Sequence, residues 1–252
     1  MDKKKWRLIP PIQASGRIQM AIDSWLFQQY ENELSYPILR FYTWSKPTIS
    51  LGYLQKKYPD PWNHLIWKND PLDLVMRPTG GRAVLHQGDL TYMVIMSLDH
   101  RKTLDIYRDI CQFLIEGWKI LGIPLRYGTA KRGYIHNSSC FNTATIADLI
   151  TAEGSKLIGS AQRRGKKSIL QHGSMVLSTD KALFEMIFDQ VAPWNLTLRE
   201  QLFKDYSIDN IIEFLTQAAK EHFKIELTTQ PLSEEEWQKI MKINNGESRS
   251  NA

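Results

Sequence analysis

Cysteine is scarce in this chain: Cys111 and Cys140 are the only two among 252 residues. That excludes a disulfide framework and fits a reducing compartment. No apolar run reaches the roughly 18 residues of a spanning helix, so no membrane segment is expected. The first residues, MDKKKWRLIPP, are charged with no apolar stretch behind them, unlike a secretory signal. A cytoplasmic location is therefore expected. The six histidines show no metal-ligand spacing such as H-E-x-x-H, and no metal is expected. No basic tract interleaved with stacking aromatics occurs, which argues against nucleic acid as a partner. The net charge of +5 is modest and compatible with acidic protein partners. Repeats and linker-like stretches are also missing. One domain over residues 1–243 is expected, with a disordered tail over 244–252.

What the chain has is core-forming material. Hydrophobic residues make up 42%, with eight Trp, ten Tyr and nine Phe, which excludes a disordered chain. Ile18, Ile22, Trp25 and Leu26 fall at helical spacing within 17–30, after Ser15 as a candidate cap. Residues 41–44 and 48–54 read as strands separated by the turn Ser45-Lys46-Pro47. The stretch 56–71, with Pro59, Pro61 and Pro71, reads as a loop. Strands follow near 72–77, 83–86 and 90–98. The clearest helix is 104–121, with Leu104, Tyr107, Cys111, Leu114, Ile115 and Trp118 on one face and Gly122-Ile123-Pro124 as its stop. Cys111 is thereby expected to be a core residue. Residues 126–145 are polar, and 146–150 are apolar. Residues 157–162 and 169–177 suggest a hairpin with 163–167 as its basic turn. Helices are expected over 181–191 and 208–222, a strand over 223–227, and a last helix from the capping box at Ser233 to Glu236. Strands and helices without strict alternation point to an α+β fold.

Chemistry concentrates in a few places. RPTGGRAVLH, residues 77–86, joins two strand-like stretches and holds Gly80 and Gly81 between Arg77 and Arg82. Glycine lets backbone approach a ligand closely, and arginine offers a planar charged fork. The spacing is neither a Walker loop nor a dinucleotide fingerprint. Cys140 lies in the polar stretch SSCFNTATIADL. By itself a loop cysteine is more often incidental than catalytic. His136 lies four residues before it, so a Cys–His dyad is conceivable, although no protease signature surrounds the pair.

Taken together, these segments resemble the lipoate–protein ligase A / octanoyltransferase family. The resemblance rests on QMAID at 19–23, SKPTISLGYLQ at 45–55, RPTGGRAVLH followed by Leu90-Thr91-Tyr92, GSKLIGSAQRR at 154–164 and LQHGS at 170–174. It spans roughly residues 6 to 227. It implies a mixed β-sheet flanked by helices, as in the catalytic domain of biotin and lipoate protein ligases. Cys140-Phe141 matches the pair carried by the family's cysteine-dependent octanoyltransferases, although Ala144-Thr145 stands where that pattern usually has Pro-Ser. The lysine that ligases and transferases both need maps onto Lys156. The resemblance therefore implies Cys140 and Lys156 as catalytic residues. Arg77, Gly80, Gly81, Arg82, His86, Gly159, Ser160, Ala161 and His172 would surround the acyl group.

The implied reaction moves octanoyl from acyl carrier protein to a lysine of a lipoyl domain or of the glycine-cleavage H protein. It passes through a Cys140 thioester and needs no cofactor. Lys156 would favour the thiolate, help hold the oxyanion and relay the acceptor's proton. A monomer is expected. Three alternatives stay open. An ATP-dependent ligase would work through lipoyl-AMP, but Gly80-Gly81-Arg82 replaces the three successive glycines typical of ligases. An amidotransferase would take octanoate from the H protein. A silent carrier-binding protein would need neither Cys140 nor Lys156.

Overall fold

The computed structural model describes residues 3–33, 35–128, 148–192 and 205–244. In chain order the elements are β1 (Lys4–Ala14), α1 (Gly16–Glu33), β2 (Ile38–Trp44), β3 (Thr48–Leu51), a 3-10 turn (Asp60–His64), β4 (Ile66–Trp67), β5 (Asp70–Pro71), β6 (Asp73–Met76), β7 (Val84–His86) and β8 (Asp89–Ser97). There follow α2 (Thr103–Ile120), β9 (Arg126–Tyr127), β10 (Asp148–Ile150), β11 (Lys156–Arg164), β12 (Ser168–Val176), α3 (Lys181–Phe188), α4 (Ile208–Phe223), β13 (Ile225–Thr229) and α5 (Glu234–Asn244). The α+β expectation holds.

The main sheet has eight strands in the order β13-β1-β2-β8-β12-β11-β10-β9. It is mixed: β1 runs parallel to β2 and β13, and the pairs from β2 to β9 are antiparallel. Both faces are covered, so the central strands β8 and β12 are buried almost throughout. Alternation sorts their residues. Leu90, Tyr92, Val94 and Met96 pack against Ile106, Ile110, Phe113, Leu114 and Trp118 of α2 and Ile211 and Leu215 of α4. The odd-numbered Met93 and Ile95 pack against Ile22, Trp25 and Leu26 of α1, and α5 adds Ile240 to the same layer. A smaller sheet, β6-β3-β7, turns Ile49, Leu51 and Leu85 toward α3, where Leu183, Phe184 and Ile187 complete a third cluster.

The structure corrects the sequence reading in four places. Strand β1 has no counterpart in the sequence reading, and it contains Pro10-Pro11, which a continuous ladder would not accommodate. The register of β1 on β2 slips between Ile9 and Ile12, so the prolines sit where the ladder is already interrupted. The stretch 56–71 contains the 3-10 turn and the β4–β5 pair. Leu104 is 49% exposed rather than on the buried face of α2, being in its first turn. Asn244 ends α5 instead of beginning the tail, the helix having started at the Ser233–Glu236 capping contacts. Residues 245–252, and the segment 129–147 with Cys140, His136 and Ile146, lie outside the described residues. Among the described residues, no helix is long and apolar enough to cross a membrane.

Candidate active site

The α1 face of the main sheet is not wholly covered by α1. Beyond it, the small sheet lies over the strands, with Ser50 of β3 and His86 of β7 on the side opposite Ile49, Leu51 and Leu85. A cavity of about 330 Å³ opens between the two layers, at the small end of ligand pockets. Its floor is one row of cross-strand neighbours: Asp148, Gly159, Ser174, Thr91 and Tyr42, on β10, β11, β12, β8 and β2 in turn. Two residues along, His172 and Ala161 extend it.

Lys156 reaches this floor through an irregularity of register. Leu149 pairs with Ile158, but Ile150 pairs with Lys156, so β11 carries one residue more than β10 here. A one-residue offset exchanges the two faces of a strand. Ile158 packs on the α2 side, while Lys156 lines the cavity. Its Nζ forms an ion pair with Asp148 Oδ1 at 2.9 Å, both side chains being buried. Gly159 leaves the space for this: a Cβ there would lie 3.0 Å from Lys156 Cε and 3.2 Å from Nζ.

The loop 77–82 forms the opposite wall. Arg77 is 5% exposed. Its guanidinium donates to the carbonyls of Ser50 (2.8 Å), Gly80 (2.7 Å) and Arg82 (2.8 Å). It thus shapes the loop. Gly81 has φ +92°, a conformation that favours glycine. Its carbonyl lies so close to Gly52 that a Cβ on Gly52 would be 1.9 Å away. Arg82 stands outside the cavity lining and offers its carbonyl to Arg77.

Two histidines line the cavity, each held at both ring nitrogens. His86 Nδ1 is 2.8 Å from Asp89 Oδ2, and its Nε2 is 2.8 Å from Ser50 Oγ. Trp44 stacks on the ring with centroids 3.9 Å apart. Asp89 Oδ2 also accepts from Ser174 Oγ at 2.6 Å and Thr91 Oγ1 at 3.3 Å. His172 Nδ1 is 2.8 Å from Asp23 Oδ2, and its Nε2 is 2.6 Å from Thr79 Oγ1. Asp23 is shared: it pairs with buried Arg40 at 3.2 Å and accepts from Tyr42 at 3.0 Å, and Arg40 in turn donates to Gln19. Because a carboxylate only accepts, each Nδ1 carries the proton and each Nε2 accepts from a hydroxyl. Burial pushes the His172 imidazole below its ordinary range, against the opposing pull of Asp23, and so favours its neutral form.

Of the residues named from the sequence, Arg77, Gly80, Gly81, His86, Lys156, Gly159, Ser160, Ala161 and His172 all line this one cavity. Ser160 does so from the α2 side along with Tyr107, its hydroxyl 2.7 Å from Tyr92 OH. Cys140 lies outside the described residues. Cys111 is a core residue as expected; burial pushes its thiol up to about 12. Sequence reasoning missed the carboxylates Asp23 and Asp89, the Arg40 that pairs with Asp23, and the hydroxyls of Ser50 and Thr79 on His86 and His172. A weak signal existed, since Asp23 and Arg40 interrupt otherwise apolar runs in α1 and β2.

Comparison with known proteins agrees with this geometry. The model of the lipoyl protein ligase A/B catalytic domain matches residues 15–230. The octanoyltransferase LipM of Carboxydothermus hydrogenoformans is 40% identical over 179 residues, covering 69% of this chain and 66% of that protein. LipM of Bacillus anthracis is 31% identical over 266 residues, covering 96% and 95%. Among solved structures, a lipoate-protein ligase A bound with ATP superposes with TM-score 0.75 at 24% identity, covering 96% of this chain and 94% of that one. A chain from the structure of a bipartite lipoate protein ligase and its E2 lipoyl domain, from Thermoplasma acidophilum, gives 0.71 at 21%, covering 97% and 92%. At these identities the structural matches establish the fold alone.

Proposed function

Because the chain belongs to the lipoyl protein ligase A/B catalytic domain family, we propose that it is a protein octanoyltransferase of lipoate biosynthesis acting through a Cys140 thioester. The relatives that share most of its length are octanoyltransferases, which makes acyl transfer to a protein its activity. The donor in this reading is octanoyl-acyl carrier protein. The acceptor is a lysine of a lipoyl domain or of the glycine-cleavage H protein. The carrying observation is the buried Lys156–Asp148 pair, turned into the cavity by the extra residue in β11.

In the first step the Cys140 sulfur attacks the donor's thioester carbonyl. A carbon–sulfur bond forms to Cys140, and the bond to the carrier's pantetheine sulfur breaks. That sulfur leaves as a thiolate and takes up a proton. The Lys156 ammonium is the positive charge at hand for the entering thiolate and the transient oxyanion. In the second step the acceptor amine attacks, an amide forms, and the Cys140 sulfur leaves. Converting a thioester to an amide is downhill, so no nucleotide is consumed. Gly80 and Gly81 present backbone to the chain, and the positions of Gly159 and Ala161 leave room for it.

Intact-mass spectrometry after mixing the protein with octanoyl-acyl carrier protein, without ATP, tests the reading. The expected result is one octanoyl group added to the wild type, absent from Cys140→Ala and released by hydroxylamine. Acylation of a lipoyl domain only when ATP and a free acid are supplied would instead make the protein a ligase, with Cys140 a bystander.

A further inference from the structure

The second step above requires a base. A lysine amine has pKa ~10.4 and reaches the site mostly as an ammonium, which is no nucleophile. Lys156 is poorly placed to accept that proton, since its ammonium already pairs with Asp148 at 2.9 Å. We propose that His86, held by Asp89 and lying beside Ser50, is the proton acceptor for the incoming lysine.

Geometry supports the assignment. Asp89 Oδ2, His86 and Ser50 Oγ form an unbroken chain with both links at 2.8 Å. This is the order of carboxylate, imidazole and hydroxyl in which an imidazole serves as a base, recognised by geometry rather than sequence position. Both Ser50 and His86 line the cavity, and Asp89 is buried behind them. Trp44 stacked on the ring and Asp89 on Nδ1 fix its orientation, so Nε2 is the basic nitrogen. The chain is also close to Lys156. Ser174, which donates to Asp89, stands directly across the strand pair from Gly159, over which Lys156 lies.

The same reasoning separates His86 from His172. Asp23 behind His172 is already paired with the Arg40 guanidinium and bonded by Tyr42. Asp89 takes its hydrogen bonds from His86, Ser174 and Thr91, and among the described residues its salt-bridge partner is His86. Neither Asp23 Oδ1 nor Asp89 Oδ1 accepts a hydrogen bond, but Asp23 Oδ1 faces the Arg40 guanidinium at 3.2 Å. Asp89 therefore has its charge available for an imidazolium at His86, whereas Asp23 has spent much of its own. The proton balance is simple. The ammonium first gives one proton to His86 Nε2, directly or through the Ser50 hydroxyl; the freed amine then forms the nitrogen–carbon bond, and its second proton goes to the departing sulfur as the adduct collapses. The acyl group leaves its sulfur, and the imidazolium later returns the proton to solvent.

The assignment rests on the reading that the acceptor is a lysine, and it does not depend on what carries the acyl group. The test compares two nucleophiles on the octanoylated enzyme: the lysine of a lipoyl domain, and hydroxylamine, which is largely uncharged at neutral pH. In His86→Gln, transfer to the lysine is expected to fall about 10²–10⁴-fold, the usual worth of a general base. Formation of the acyl-enzyme and its cleavage by hydroxylamine should fall far less, so that the ratio of the two transfers shifts strongly toward hydroxylamine. Asp89→Asn should show the same selective loss. Equal losses toward both nucleophiles in both variants would overturn the proposal, reducing His86 to a support of the pocket wall; unchanged transfer to lysine would also overturn it. If the wild type acylates only with ATP, the thioester reading fails. The comparison of the two nucleophiles on the acyl-adenylate then still decides the role of His86.

Discussion

His172 is engaged at both ring nitrogens and buried, so acid acts on it through the unfolded chain. Its folded pKa lies below the ordinary 6.5. The unfolded chain therefore binds a proton first as pH falls. The stabilisation is whole above 6.5 and drains away as pH falls toward the folded value. Chemical denaturation between neutral pH and pH ~5 should show stability declining by up to about 1.4 kcal/mol per pH unit from this residue. His172→Gln should flatten that slope. Cys111 gives the opposite window. Its thiol is raised from 9.0 to about 12, with burial as the main cause. Stability from this group is complete below 9 and falls as pH rises toward 12. At neutral pH, iodoacetamide should leave Cys111 unmodified in the native protein and alkylate it after denaturation. This buried fate was legible in the sequence, because helical spacing put Cys111 on the apolar face of α2. The carboxylate behind each histidine was not. Asp23 and His172 meet from positions 149 residues apart, and no local pattern records such a contact.

The elements that could be read best were those whose period decides their structure, such as α2 and the β11–β12 hairpin. Strand β1 could not, because a register slip at Ile9 to Ile12 accommodates prolines that otherwise deny a strand. Sequence also placed Lys156 at the hairpin without saying which face it takes. That depends on how β11 is counted against β10. Gly159→Ala probes this arrangement directly. The new methyl would meet the flexible end of Lys156 at 3.0–3.2 Å. The chain should fold but lose stability, because displacing the lysine from Asp148 loosens a buried ion pair. Acyl transfer should then fall by about 10²-fold, as when a reacting group is misplaced by an ångström.

On the scale of the whole molecule, the two ends of the described chain close on each other. β1 lies between β2 and β13, so the edge of the main sheet is completed by a strand from the C-terminal part. Arg7 secures that closure. Its guanidinium holds both carboxylate oxygens of Glu236 at 2.6 and 2.8 Å and the carbonyls of Gln230 and Pro231 at 3.1 and 2.7 Å. Arg7→Ala should cost roughly 1–3 kcal/mol, the range for hydrogen bonds to charged groups. Hydrogen exchange should show protection lost first over β13 and α5, with the cavity strands β8 and β12 unaffected. Uniform loss across the sheet would mean that this closure is not a separate unit. The α+β class followed from the mixture of periodicities, but the strand order did not. Parallel pairing of β1 with β13 joins segments more than two hundred residues apart, and such topology leaves no imprint on hydropathy.

The unpaired count in β11 makes the protein's chemistry hostage to chain length as well as to residue identity. Extra residues in the exposed turn at 152–154 would enlarge a loop and leave the ladder beyond it intact. One residue inserted between Leu149 and Ile150 would pair with Leu157, restore even pairing and send the Lys156 ammonium into the hydrocarbon of the α2 layer, leaving Asp148 behind. Two chains with the same motif letters, differing by one residue inserted in β10, would keep the signature and lose the charge that the cavity is built around.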